Sequence, residues 1–308
     1  MHIDTINTPV ERQASHSPQV SIGMPVYNGE PFIREALDSL LAQTFTDFEL
    51  IISDNGSTDA TEAICKEYAA KDVRIRYVRH GKNRGGSANF WFVLNEAVAK
   101  YFMWAAADDR WDHEWISKLL PMAIDGSCIA YGCLWTIDEY GYRISHPANG
   151  RTFKYTGMPI LRRMKYYFEP PSLGKANPIY GLFPKKVLTD DAFNILNLTP
   201  HSPDMLFIFN LLRELEVKPN KYVYLEKRIH NGCAGGLTSS KGTKRFLLYR
   251  FFHLSSQLLK SHKNKFFDYA LLCNGFEKLI LCIIFPFAIL SDMGCTILNK
   301  YNRNKKLN

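Results

Sequence analysis

Tyr101–Trp111 reads YFMWAAADDRW. An apolar run from Tyr101 to Ala107 stops at two adjacent carboxylates, Asp108 and Asp109. That is the pattern of a buried strand ending at a functional edge. In an open parallel sheet, ligands sit beyond the carboxyl ends of the strands. Two neighbouring carboxylates there repel unless a cation or ligand hydroxyls lie between them. One reading is a divalent site, with Mg²⁺ or Mn²⁺ held by few carboxylates and by a substrate's phosphates. The other is a solvated loop in which Asp109 or Asp112 caps the next helix. Eleven residues leave both open, so the flanking sequence has to choose.

Upstream, Val20–Met24 is a short apolar run ended by Pro25, and Pro25-Val-Tyr-Asn-Gly29 makes a turn. Pro31 opens a helix, where its missing N–H costs nothing, and Phe32, Ile33, Ala36, Leu37, Leu40 and Leu41 follow helical spacing. Phe48–Ser53 is a second strand, ending in the turn cluster Asp54-Asn-Gly-Ser-Thr-Asp59. Ser57 or Asp59 is placed to cap a helix running to about Ala70. Arg74–Val78 reads as a third strand, His80–Gly86 as loop and Ser87–Lys100 as helix, which brings the chain to Tyr101. Downstream, Asp112–Ile124 is helical and Ser127–Trp135 a further strand. Strands alternating with helices of about a dozen residues predict βαβ units and a parallel sheet. Three loops then share the carboxyl edge: Pro25–Glu30, Asp54–Asp59 and Ala107–Asp112.

From Ile137 to Thr199 the pattern is less regular, broken by six prolines from Pro147 to Pro184. Met158–Phe168 reads as a short helix and Pro178–Leu188 as a strand turning into a helix. Ser202–Glu216 reads as a helix with Asp204 in its first turn, where the helix dipole favours a carboxylate. Lys221–Leu225 is a strand leading to Arg228-Ile-His-Asn-Gly232.

With 308 residues, 46% hydrophobic and 22% charged, the chain has a globular composition. Its seven cysteines are scattered without a CxxC pair, which excludes a disulfide framework and a structural zinc site and fits a reducing cytosol. Residues 1–18 are polar, lack a signal-peptide core and are expected to be a disordered lead-in. The net charge of +8 is concentrated in residues 241–308, which carry twelve Lys and Arg against three Asp and Glu. A basic tail on a near-neutral body points to an anionic surface. Phe246–Leu259 is amphipathic, and Leu279–Leu290 is apolar but interrupted by Pro286. That run is shorter than the roughly 20 residues a membrane span needs. With Lys260, Lys263 and Lys265 before it and Lys300, Arg303, Lys305 and Lys306 after it, it fits an interfacial anchor on an anionic leaflet; the alternative is a helix covering the domain. Long apolar runs suit lipid better than nucleic acid, which is not expected as a partner.

Taken in order, Val20-SIGMPVYNGE30, Leu50-IISDNGSTDAT61, Asn83-RGGSANF90 and Ala106-ADDRW111 resemble glycosyltransferase family 2. The resemblance covers roughly residues 19–235. It implies a GT-A-type, Rossmann-like, mostly parallel α/β sheet flanked by helices, here with a helical C-terminal extension. It divides the body into a nucleotide-sugar half, residues 19–136, and an acceptor half, residues 137–240; outside it, the basic and apolar pattern makes residues 241–308 a membrane-associating tail. It implies an inverting transfer from a nucleotide-diphosphate sugar, UDP-type, to a saccharide or lipid-linked saccharide at the cytoplasmic face of a bacterial plasma membrane, for surface polysaccharide. Carried across by position, it gives Pro25 and Tyr27 to the base-binding turn, Tyr27 stacking on the base. It gives Asp54 to the base's ring N–H, Asn83 and Arg84 to the base and diphosphate, and Asp108 to the ribose. Asp109 and His230 become ligands of Mn²⁺ or Mg²⁺, and Asp204 the catalytic base. The metal motif here is an adjacent pair after alanines, which leaves Asp109 as the one firm ligand.

Local chemistry agrees. A departing diphosphate needs its charge neutralised, and an attacking hydroxyl needs a base within hydrogen-bond reach. Read by themselves, Tyr27 is an ordinary turn aromatic, Asp54 and Asp59 are turn and cap residues, and Trp104 and Trp111 are packing. A dinucleotide-binding oxidoreductase is disfavoured because PVYNGE offers no G-x-G-x-x-G cradle. A nucleotidyltransferase on a similar sheet, or a membrane-bound nucleotide-sugar-binding protein without transferase activity, remain as alternatives.

Overall fold

The computed structural model describes residues 3–4, 17–194, 203–230 and 266–305. One sheet contains Ile3–Asp4 (β1), Val20–Val26 (β2), Phe48–Asp54 (β3), Ile75–His80 (β4) and Tyr101–Trp104 (β5). A second is built from Arg110–Trp111 (β6), Cys128–Ile137 (β7) and Glu216–Arg228 (β9), while Phe183–Pro184 (β8) returns to the first. The first sheet runs in the order β1-β4-β3-β2-β5-β8. Its four central strands are parallel, and β1 and β8 are antiparallel edges. The fold is α/β with a mostly parallel sheet, as the alternation of apolar runs predicted.

The central strands are continuous apolar runs because helices cover them. Thr61–Lys71 (α2) and Gly86–Glu96 (α3) pack on these strands, Ile33–Leu41 (α1) packs beside α2 and β6, and Trp115–Ala123 (α4) packs on β7 and β9. On α1 the buried residues are Ile33, Ala36, Leu37 and Leu40, one helical stripe. A Cβ at Gly23 would lie 2.7 Å from Val93 Cγ2 and 2.8 Å from Phe102 Cζ, so glycine lets α3 sit directly on the backbone of β2. Trp104 and Trp115, both fully buried, fill the core, and Trp111 is 4% exposed, so all three serve packing.

With β3 and β4 on one side of β2 and β5 on the other, the connections diverge between β2 and β5. That is the switch point where open α/β sheets bind ligands. The chain leaves β5 there, runs through Asp108 and Asp109, and enters β6. Two residues of pairing, Arg110 with Glu226 and Trp111 with Leu225, fasten this turn to β9. β9 in turn runs parallel to β7.

The remaining helices are Pro159–Phe168 (α5), Asp190–Asn194 (α6), Pro203–Leu211 (α7), residues 266–271 (α8) and Gly275–Lys305 (α9). Arg163 on α5 is 1% exposed, pairs with Glu277 on α9, donates to Leu272 O and lies over the Phe209 ring. This contact fixes the C-terminal helices to the body.

Several boundaries differ from the sequence reading. β9 spans thirteen residues, where only Lys221–Leu225 read as strand. Helix α9 continues through Pro286, which was expected to interrupt it. β5 stops at Trp104, so Ala105–Ala107 belong to the loop. Within the expected lead-in, Ile3–Asp4 pairs with Arg79 and His80. The expected helix Phe246–Leu259 and His201 lie outside the described residues. Among the described residues, no helix is long and apolar enough to cross a membrane. Cys65, Cys128, Cys133, Cys273 and Cys282 are free thiols.

Candidate active site

The first two edge loops are tied together by reciprocal hydrogen bonds. Asn28 takes a left-handed conformation, φ 52°, and its Oδ1 accepts from Thr58 N at 2.9 Å. In return Asn28 N donates to Ser57 Oγ and Gly29 N to Thr61 Oγ1. Glu30 N donates to Asp59 Oδ2 while Ala60 N donates to Glu30 Oε2. Asp59 also accepts from Thr61 N, just ahead of α2, whose N-cap is Ala60 without a side-chain bond, so neither Ser57 nor Asp59 caps it as expected. Burial opposes the Asp59 charge, but the Thr61 and Glu30 donors hold its carboxyl below the ordinary range. Between these braces β2 runs through Pro25, expected to end it, to Val26, and Tyr27 stands 48% exposed at the edge.

Asp54 is fully buried at the end of β3. Its Oδ1 accepts from Ser57 N at 2.8 Å and its Oδ2 from the Tyr77 hydroxyl at 2.7 Å. Burial and this carboxylate push the Tyr77 hydroxyl far above its ordinary value. Asp54 therefore shapes the loop from beneath, with both oxygens already engaged.

The third wall is the loop after β4, and Asn55 holds it. Its Nδ2 donates to Asn83 Oδ1 and Gly85 O, and its Oδ1 accepts from Arg84 N at 2.8 Å. The exposed Arg84 side chain reaches back to His80 Nδ1 at 3.3 Å. The tautomer of His80 follows from its neighbours. Asn89 Nδ2 donates to Ser53 O and Val26 O, so Asn89 Oδ1 receives the Ser53 hydroxyl proton. Ser53 Oγ must then accept from His80 Nε2–H, 2.9 Å away, leaving Nδ1 as the acceptor for Arg84. Burial and then Arg84 hold His80 below its ordinary value, in keeping with a neutral ring.

Asp108 and Asp109 point to different surroundings. Asp109 is 1% exposed: Oδ1 accepts from Arg228 N at 2.8 Å, and Oδ2 is a buried acceptor without a hydrogen bond, 3.8 Å from Lys227 Nζ. Burial, seconded by Asp108, pushes the Asp109 carboxyl up to about 6, against the pull of Lys227 and Arg228. For Lys227, burial disfavours the charge, but Asp109, Tyr180, Asp108 and Tyr131 together outweigh it and hold the ammonium above its ordinary value. Asp108 is half-buried, and its Oδ2 lies 3.0 Å from His230 Nε2. His230 thus pairs with Asp108, although it was expected beside Asp109. Its ring packs on Phe32 at 4.7 Å. Arg228, 1% exposed, fixes this corner: it donates to Asp108 O, Asp138 O, Glu139 O and Glu35 Oε2 and covers the Phe32 ring.

Asp204 begins α7, half-buried, with its Oδ1 accepting from Met205 N. Tyr180 sits beside Lys227. The Lys227 ammonium, 4.9 Å from the Tyr180 ring, pulls this hydroxyl down; burial and the charges of Asp109, Asp108 and Asp204 outweigh it and bring it to about 12.

Among the described residues, no group of three or more His, Cys, Asp or Glu could hold a metal ion by itself. The unpartnered buried Oδ2 of Asp109, with Asp108 and His230 adjacent, fits an ion that takes its remaining ligands from a diphosphate. Asn55, Tyr180, Lys227 and Arg228 escaped the sequence reading. Asn55 lay inside a quoted motif; for the other three, burial and partners are set by contacts distant in sequence.

Comparison with known proteins bears on this arrangement. A family model described as "Glycosyl transferase family 2" matches residues 21–187. An uncharacterized glycosyltransferase of Rickettsia bellii is 29% identical over 231 residues, 72% of this chain but 31% of that protein. The chain thus spans about a third of that relative's length. The putative teichuronic acid biosynthesis glycosyltransferase TuaG of Bacillus subtilis is 32% identical over 111 residues, 36% of this chain and 44% of that one. Among solved structures, S. aureus TarS 1–349 in complex with UDP-GlcNAc is similar with a TM-score of 0.54 at 19% identity, covering 82% of this chain and 71% of that one. The mannosyltransferase PcManGT of Pyrobaculum calidifontis in complex with GDP-Man and Mn²⁺ has a TM-score of 0.50 at 15% identity, covering 96% and 77%. At these identities the two structures speak for the fold alone.

Proposed function

The chain belongs to glycosyltransferase family 2, and from that premise we propose that it moves a sugar from a nucleotide-diphosphate donor, UDP-type, onto a hydroxyl of a saccharide or lipid-linked saccharide, with inversion. The product would be bacterial surface polysaccharide, and the site of work the cytoplasmic face of the plasma membrane. The observation that carries this reading is the doublet in the loop after β5, where a buried Asp109 oxygen has no hydrogen-bond partner and Asp108 pairs with His230. A buried carboxylate oxygen open to an ion is what the departing diphosphate of a nucleotide sugar needs. Similar proteins bound to UDP-GlcNAc, and to GDP-Man with Mn²⁺, support the donor class.

In this reading residues 19–136 receive the donor. Tyr27, at the end of Pro25-Val-Tyr, stacks on the base; Asp54, expected at the base's ring N–H, is buried with both oxygens engaged and shapes the loop beneath the base instead. Asn83 and Arg84 line the base and diphosphate, with Asn55 and His80 holding them. Asp108 binds the ribose. Asp109 and His230 would hold Mn²⁺ or Mg²⁺ against the diphosphate, supplying positive charge where the leaving group gathers electrons. Residues 137–240 receive the acceptor. Asp204 takes the proton of the acceptor hydroxyl. The oxygen's electron pair forms the new bond at the anomeric carbon as the old bond's pair departs with the diphosphate. Residues 241–308 bring the enzyme to an anionic membrane.

A thermal-shift screen of nucleotide sugars with and without Mn²⁺ tests the reading. Stabilisation by one donor, dependent on the ion, and turnover of that donor are expected. Stabilisation without turnover on any saccharide acceptor would favour a binding protein, and no stabilisation by any donor would overturn the reading.

A further inference from the structure

Helix α9 carries two apolar stripes. Leu281 and Ala288, in line with the Arg163–Glu277 pair, face the body and are buried. Phe276, Leu279, Ile283 and Phe287 recur at i, i+3, i+7 and i+11, and each is more than half exposed. At 3.6 residues per turn the two stripes lie rather more than a third of a turn apart. A helix that merely packs on a globular body turns polar side chains to the other side. Here the other side is a second apolar row, extended by Phe267 and Leu271 of α8, both more than half exposed. An exposed apolar row of this kind marks an interaction site.

Charge identifies the occupant. Lys278 is exposed beside the row, Lys260, Lys263 and Lys265 precede α8, and Lys300, Arg303 and Lys305 end α9. The tail holds twelve basic against three acidic residues. An apolar row between basic clusters is complementary to an anionic lipid surface, in which such a helix lies flat. No helix among the described residues offers the alternative of spanning.

The opposite side of α8 leads to the proposed base. Tyr269 is 3% exposed and packs edge-on against Tyr167, at 5.1 Å, and against Phe209 of α7, at 4.6 Å. Burial, followed by the Asp204 charge, raises its hydroxyl well above the ordinary value. One short helix thus carries the apolar row on one side and borders the Asp204 neighbourhood on the other.

We propose that the α8–α9 face docks on an anionic bilayer and turns the Asp204 side of the cleft toward it, so that the acceptor is drawn from the lipid surface as a lipid-linked saccharide. This rests on the glycosyltransferase reading for the acceptor, but the docking itself does not.

The experiment is flotation of the full chain with phosphatidylcholine vesicles, with and without about a third phosphatidylglycerol. The variant Leu279→Glu/Ile283→Glu/Phe287→Glu alters exposed side chains only, and Val73→Glu, 86% exposed between α2 and β4, is the control. Wild type and control should float with anionic vesicles, and the triple variant about tenfold less. The triple variant should also lose transfer to a lipid-linked acceptor in vesicles while keeping the thermal shift given by the nucleotide sugar. Equal flotation of the triple variant, or no flotation of the wild type, overturns the proposal. So does a wild-type dimer that the triple variant converts to monomer, because a second copy would then be the occupant. Flotation without any nucleotide-sugar shift in the wild type would leave docking standing and sink the transferase reading.

Discussion

Asp204 has an assigned task that differs from those of the doublet. Asp109 is buried against Arg228 and Lys227 and is proposed to serve the donor's charge, whereas Asp204 lies in the first turn of α7. If it accepts the acceptor's proton, Asp204→Asn keeps the shape and the bond from Met205 N but removes the base. The expected result is a fall in kcat of about 10²–10⁴ with the donor KM unchanged. Steady-state kinetics with varied donor checks this, and a rise in donor KM with kcat intact would assign Asp204 to donor binding. At this scale the sequence disclosed the carboxylates but not their company. Arg228 was passed over because a lone arginine after a polar strand looks like surface charge. Its burial depends on Glu35 and the Asp108 carbonyl, both more than a hundred residues earlier. Lys227 was missed for the same reason, and His230 was drawn toward Asp109 when its partner is Asp108.

Helices and strands with strong periodicity were legible: β2 to β5 and α1 to α4 fall close to where the apolar patterns put them. What failed depended on contacts between elements. β6 is two residues long, too short to carry a period, and exists because β9 pairs with it. β9 contains Pro219 and many polar residues, so its outer half has no apolar alternation to read. Pro286 was expected to interrupt α9. The loss of one helical hydrogen bond there is offset by burial of Leu281 and Ala288 and by the Arg163–Glu277 pair. That pair has a consequence at the same scale. Burial opposes the charge of Glu277, but the Arg163 bond and the Asn274 N–H hold its carboxyl below the ordinary value. A carboxylate depressed by folding adds stability above its unfolded value, about 4.3, and that stability is lost as acid takes the pH down through the folded value. Glu277→Gln leaves the Arg163 charge buried without its carboxylate, which costs about 3–5 kcal/mol. Urea unfolding at neutral pH should read that loss, and below about pH 4 the gap between variant and wild type should narrow. An unchanged midpoint at neutral pH would mean the pair adds nothing net.

Across the whole molecule, the doublet's corner gathers residues from both halves of the chain. The parallel sheet supplies three loops at its carboxyl edge, and β9 closes the corner behind the doublet. Separate buried contacts fix each wall: Asn55 for the loop after β4, Arg228 for the doublet and Arg163 for the C-terminal helices. Such an arrangement allows donor and acceptor to be met independently, with the ion's place defined by a buried acceptor atom and completed by the donor's own phosphates. The most direct test is the electron paramagnetic resonance signal of free Mn²⁺, titrated with wild-type protein and with Asp109→Ala, each with and without UDP or GDP. The account predicts that wild type and nucleotide together remove Mn²⁺ from solution beyond what either does alone, and that Asp109→Ala abolishes this excess while its circular dichroism spectrum stays that of the wild type. Undiminished uptake by a folded Asp109→Ala protein would contradict it.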